Sequence, residues 1–60
     1  MERVVTTYRL GIHDVDVVET FDDEGTWYHL VADGVVRTEL LDHPPDAVEA
    51  HERILGHRPV

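Results

Sequence analysis

Apolar and polar positions alternate along four successive stretches of this chain, and then the period changes. Residues 3–12 (RVVTTYRLGI) are rich in β-branched and aromatic side chains and predict a first strand. His13-Asp14 predicts a turn, residues 15–21 (VDVVETF) a second strand, residues 22–25 (DDEG) a second turn and residues 26–32 (TWYHLVA) a third strand. Asp33-Gly34 is the strongest short hairpin signal in the chain, because a type I′ turn wants positive φ at both central positions. Residues 35–41 (VVRTELL) predict a fourth strand. From Asp42 the pattern is helical: Ala47, Val48, His51, Ile54 and Leu55 share one stripe of a helix expected over residues 44–55. Pro44 and Pro45 suit its start, Asp42 or His43 its N-cap, and Asp46 and Glu49 the positive end of its dipole. Gly56 suits its left-handed end, and Pro59 bars continuation. The expected fold is one α+β domain over residues 1–60, a four-stranded antiparallel meander with a C-terminal helix packed on one face (ββββα).

Register sorts the strand residues into two faces. With even-length turns throughout, the face under the helix carries Val4, Tyr8, Leu10, Ile12, Val15, Val17, Phe21, Tyr28, Leu30, Ala32, Val35 and Leu41. The opposite face carries Val5, Val18, Trp27, His29, Val31, Val36 and Leu40, diluted by Thr7, Arg9, Asp16, Thr20 and Thr38. One short helix cannot cover both faces, so the second apolar set is expected to be an interface, with Trp27 as its richest contact. Self-association is its simplest use, because isologous pairs are the commonest oligomers.

Composition sharpens this. A 60-residue chain buries only about 60% of the surface its unfolded form exposes, and such domains lean on disulfides, metals or partners. The sequence has no Cys, which removes disulfides and thiolate metal sites and leaves a partner chain. Lys, Ser, Asn and Gln are absent as well, and all five basic side chains are Arg. Ser and Cys nucleophiles and Schiff-base Lys chemistry are therefore excluded. A net charge of -8 repels nucleic acid and anionic lipid and attracts basic partners. The expectation is a soluble cytoplasmic protein with no direct nucleic-acid contact, no membrane association and no cofactor.

The remaining candidate chemistry rests on five His. None has metal-motif spacing: His51-Glu52 lacks the second His of a zinc-protease helix, and His13, Asp14 and Asp16 lie on neighbouring strand positions that point to opposite faces. The DDEG stretch lacks the spaced ligands of a calcium loop. His29, mid-strand beside Trp27, is the candidate for a pH-sensing or acid–base role, and a catalytic site there would need an oligomer interface to form a pocket.

The stretch FDDEGTWYHLVADG, residues 21–34, resembles part of the MbtH-like accessory proteins of nonribosomal peptide synthesis. Their further Trp-containing motifs are absent here, and an acidic hairpin tip between aromatic strands accounts for the likeness, so the chain is not assigned to that family. The resemblance illustrates one role, a small acidic partner of a larger enzyme. The function expected from the residues is a non-enzymatic, homo-oligomeric interaction module, an accessory or regulatory partner of a larger protein. Three alternatives stay open: an enzyme or ligand binder with its site at the oligomer interface near His29, a His/carboxylate metal binder, and an acidic decoy of a nucleic-acid-binding protein.

Overall fold

Asp33 and Gly34 both take positive φ, 55° and 78°, as the type I′ turn requires. They join the last two strands of an antiparallel meander. A computed structural model describes residues 1–58. Strands β1 (Glu2–Leu10), β2 (His13–Asp22), β3 (Gly25–Ala32) and β4 (Val35–Val36) form one sheet in chain order, followed by α1 (Ala47–Leu55). This is the expected ββββα arrangement.

The first turn differs from expectation. Leu10 pairs with His13, so the turn is Gly11-Ile12 and not His13-Asp14. Gly11 sits at φ 64°, a conformation it adopts without the penalty a side chain would bring. Ile12 is thereby lifted to the turn tip, 82% exposed, and leaves the expected core. The turn still has two residues, so Tyr8 and Leu10 keep the helix-side orientation the pattern gave them.

A bulge makes the second correction. Val4 pairs with Val18 and Thr6 with Val17, leaving Val5 as an extra residue. Everything before it changes face. Val4, expected in the core, lies beside Val18 on the helix-free face and is 56% exposed.

The fourth strand is the third. Only Val35 and Val36 hold regular pairing. Arg37 N–H still donates to Leu30 O at 2.8 Å, but Leu30 N–H finds the Thr38 hydroxyl at 3.1 Å. A side-chain oxygen has taken the place a strand carbonyl would fill. Backbone pairing resumes where Tyr28 and Leu41 exchange bonds of 2.9 and 2.7 Å. Thr38, Glu39 and Leu40 thus stand opposite His29 alone, and the segment bows outward. Leu41 returns to the core, while Val35 is exposed.

The helix begins later than expected. Asp46, not Asp42 or His43, is its N-cap: the carboxylate accepts the Glu49 N–H at 2.8 Å. Pro44 and Pro45 precede the first turn, and the buried Pro45 accepts a 3.3 Å bond from the Tyr8 hydroxyl. Gly56 ends the helix at φ 80° and donates its N–H to Glu52 O. Pro59 lies outside the described residues. Ala50 is fully buried against Leu10, Val15, Val17, Leu30 and Ala32, flanked by Ile54 and Leu55. Ala47 and Val48 face outward, so the buried stripe is rotated from the expected one. The methyl of Ala50 lets the helix approach the sheet closely.

Length decides what the helix can cover. Nine residues of helix span about 13 Å, against about 33 Å for the ten residues of β2, in a molecule 39 Å long. Beyond its reach the same sheet face turns polar: Arg3 Nε donates to Glu19 Oε1 at 2.8 Å, and the Tyr28 hydroxyl donates to Glu19 Oε2 at 3.0 Å.

Candidate contact surface

Strand alternation places Val18 opposite His29, Asp16 opposite Val31 and Thr20 opposite Trp27 on the helix-free face. Val4 flanks Val18 from β1, and Val36 flanks Val31 from β4. An apolar band therefore crosses all four strands. Of the seven residues expected on this face, Val18, Trp27, His29, Val31 and Val36 lie on it. Val5 is the bulge residue at its margin, and Leu40 belongs to the irregular segment beside His29. Val18 and His29 are buried although no helix lies over them. Trp27 and Val31 are half-buried; Val5, Val36 and Leu40 are exposed.

His29 is the chemically distinct member. It is 9% exposed, and its Nδ1 is buried without a hydrogen-bond partner among the described residues. The Thr38 hydroxyl accepts from Leu30 N–H and makes no bond to His29. Leaving a buried polar atom unpaired costs about 1–3 kcal/mol, and a chain with so small a core has little stability to spare.

Trp27 is aimed away from the centre of the band. Its indole Cη2 and Cζ2 lie 3.5 Å from where a Cβ on Gly25 would sit, so the ring rests over the hairpin end of β3. Gly25 has φ 154° and no side chain to displace it. Polar pairs border the band: the Thr7 hydroxyl donates to Asp16 Oδ1 at 2.9 Å, and Arg9 Nη1 donates to Asp14 Oδ1 at 2.9 Å. At the tip, Asp22 Oδ1 accepts the N–H groups of Glu24 and Gly25, so this carboxylate holds the turn.

The other candidates are dispersed. His13 faces the helix side and meets Asp33 Oδ2 at 2.8 Å, while Asp14 and Asp16 face the other way, held by Arg9 and Thr7. His51 Nδ1 bonds His57 O at 2.8 Å. Among the described residues no three His, Cys, Asp or Glu side chains are placed to hold a metal ion, and no pocket forms.

One cluster had not been foreseen. His43 Nδ1 lies 2.7 Å from Asp42 Oδ1, and its Nε2 lies 2.7 Å from Glu49 Oε1. Glu49 also accepts from Arg53 Nε at 2.9 Å, and Arg53 reaches Glu39 at 3.5 Å. Hydrogen bonds to Asp42 and then Glu49 hold His43 above the ordinary histidine value, while Asp42 and Glu49 are both lowered, chiefly by His43. The Glu49–Arg53 spacing was legible as an i,i+4 helix pair. The His43 contacts depend on the path of the two prolines, which no periodicity encodes.

No known protein family, curated protein or solved structure matches this chain. No helix among the described residues is long and apolar enough to cross a membrane.

Proposed function

We propose that this protein works by contact rather than by chemistry, as a small acidic cytoplasmic interaction module that self-associates through its helix-free face and serves as an accessory or regulatory partner of a larger protein. The observation that carries the reading is His29, buried in the apolar band with Nδ1 unpaired. A facing surface covers Val31, Val36 and Trp27, and a turn of the His29 ring on assembly brings Nδ1, enclosed in the single chain, to a partner group that relieves that cost. Two copies stacked face to face do both, and the Arg9, Asp14 and Asp16 rim sets their register.

The same nitrogen favours one second reading, a small-molecule site closed between copies, with the His29 imidazole as a proton acceptor or donor. His29→Phe separates the two. It keeps an apolar surface and removes the titrating nitrogen, so assembly persists under the first reading and ligand binding is lost under the second.

Sedimentation over a concentration series tests the assembly itself. Trp27→Ala is expected to weaken it by about 2 kcal/mol. A wild-type chain that stays monomeric at high concentration, with Trp27 emission typical of an indole in water, overturns the reading and leaves a half-wetted sheet.

A further inference from the structure

The face is not the only open surface of this sheet. β1 is a terminal strand of nine residues, and Glu2 through Thr7 and Arg9 are all exposed. Its outward hydrogen-bonding groups follow from the ladder. Met1 and Phe21 exchange two backbone bonds, N–H of each to O of the other, both 2.9 Å. Antiparallel pairs alternate between bonded and unbonded, so Arg3 also bonds inward to β2, and Glu2 and Val4 present their N–H and C=O to the free edge. Past the bulge at Val5 the phase shifts. Thr6, Tyr8 and Leu10 then bond inward, and Thr7 and Arg9 present theirs outward.

The bulge therefore has a consequence for charge. Glu2 and Arg9 are seven residues apart and would lie on opposite faces of a regular strand. Here they share a face and both bond outward. A strand laid antiparallel to a copy of itself can then place Glu2 opposite Arg9 at both ends and Val4 opposite Thr7 between them, every pair on matching faces and in bonding phase. A register one residue away breaks that match. β1 is also the one strand or helix with net positive charge, two Arg against one Glu, in a chain of net charge -8. Its positive charge offsets part of the acidic repulsion between two copies where their edges meet. Edges that avoid pairing carry like charges and bulges that twist the strand out of phase; this one carries opposite charges at its two ends and a bulge that brings them into phase.

We propose that β1 is the docking edge for a second copy of this chain, the two β1 strands pairing antiparallel about a two-fold axis with Glu2 of each copy against Arg9 of the other, to give one continuous sheet of doubled width. The pairing uses the strand edge and leaves the helix-free faces of both copies on the same side of the doubled sheet, available for the face-to-face contact proposed above.

Thr7→Pro tests the edge directly. The Thr7 N–H points away from β2, so proline removes a dimer bond and no internal backbone bond, and edge strands tolerate it. The exposed hydroxyl bond to Asp16 is lost as well, and Thr7→Val, which loses only that bond, should keep the dimer. Sedimentation is expected to show the Thr7→Pro assembly at half the wild-type mass, with unchanged far-UV circular dichroism. A charge pair guards against a folding defect in that variant. Glu2→Arg alone and Arg9→Glu alone should each weaken the dimer about tenfold or more, while an equimolar mixture of the two should form a heterodimer at wild-type strength, because each variant then faces its opposite. Trp27→Ala should leave the edge dimer intact. A wild-type monomer at all concentrations, or a dimer lost in Trp27→Ala and kept in Thr7→Pro, or a mixture no tighter than its components, overturns the proposal.

Discussion

His43 holds Glu49 through a 2.7 Å contact from Nε2 to Oε1 and so ties the loop before the helix to the first turn of the helix itself. With Asp42 on the other ring nitrogen, the imidazolium is the favoured form, and its pKa is raised by Asp42 first and Glu49 second. A group whose folded pKa exceeds its unfolded one stabilises fully below the unfolded value, about 6.5, and loses that contribution as pH rises through the raised value. Asp42 and Glu49 are lowered, so their contribution is present above the ordinary carboxylate range and lost as pH falls through the depressed values. The network is strongest in the window between. Melting temperature against pH is expected to fall on the alkaline side in the wild type, and His43→Gln should flatten that limb. Equal slopes above neutral pH in both proteins would remove His43 as the cause.

Tyr28 and Glu19 give a second titration. The hydrogen bond from the Tyr28 hydroxyl to Glu19 raises the phenol and, after the larger effect of Arg3, lowers the carboxylate. Glu19→Gln should move the Tyr28 transition, followed by ultraviolet absorbance, back toward that of an ordinary tyrosine. A transition that stays put would mean the contact does not persist in solution.

Leu30 is fully buried at the centre of the sheet. Leu30→Ala is expected to cost about 2–5 kcal/mol, which a domain of this size cannot absorb, so the variant should show no cooperative thermal transition. A clear melting transition within a few degrees of wild type would place the core elsewhere.

Gly34 has φ 78° and nothing within 4 Å of where a Cβ would point. Gly34→Ala should therefore cost about 1–2 kcal/mol from backbone conformation alone, without a steric contribution. Chemical denaturation measures it. A cost near zero would mean the turn is not held in the left-handed region.

How far the sequence reached depends on which rule governed each residue. Asp33-Gly34 was legible because the turn demands a backbone few residues adopt. Val15, Val17, Leu30 and Ala32 were legible because alternation held on β2 and β3 without interruption. Val4 was misplaced because a single extra residue, Val5, reverses a face and leaves no compositional mark. Residues 37–40 read as strand by β-propensity, yet the Thr38 hydroxyl competes with the ladder and wins locally. Ile12 was misread because its hydrophobicity outweighed the backbone freedom of Gly11 beside it. At the candidate surface, membership of the band was mostly readable from parity. The unpaired Nδ1 of His29 was not, since it depends on the three-dimensional surroundings of a single ring atom, which strand parity does not encode.

The order of the strands has a kinetic consequence. Each strand pairs with the one next to it in the chain, and the turns between them have two residues each. Nearly all loop closures on the folding route are therefore short, and such topologies fold on the millisecond scale or faster. The helix is the exception: Ala50 must cross back to Leu10 and Val15 after the sheet exists to receive it. Folding of this chain should end with that docking step, and substitutions on α1 should speed unfolding more than they slow folding.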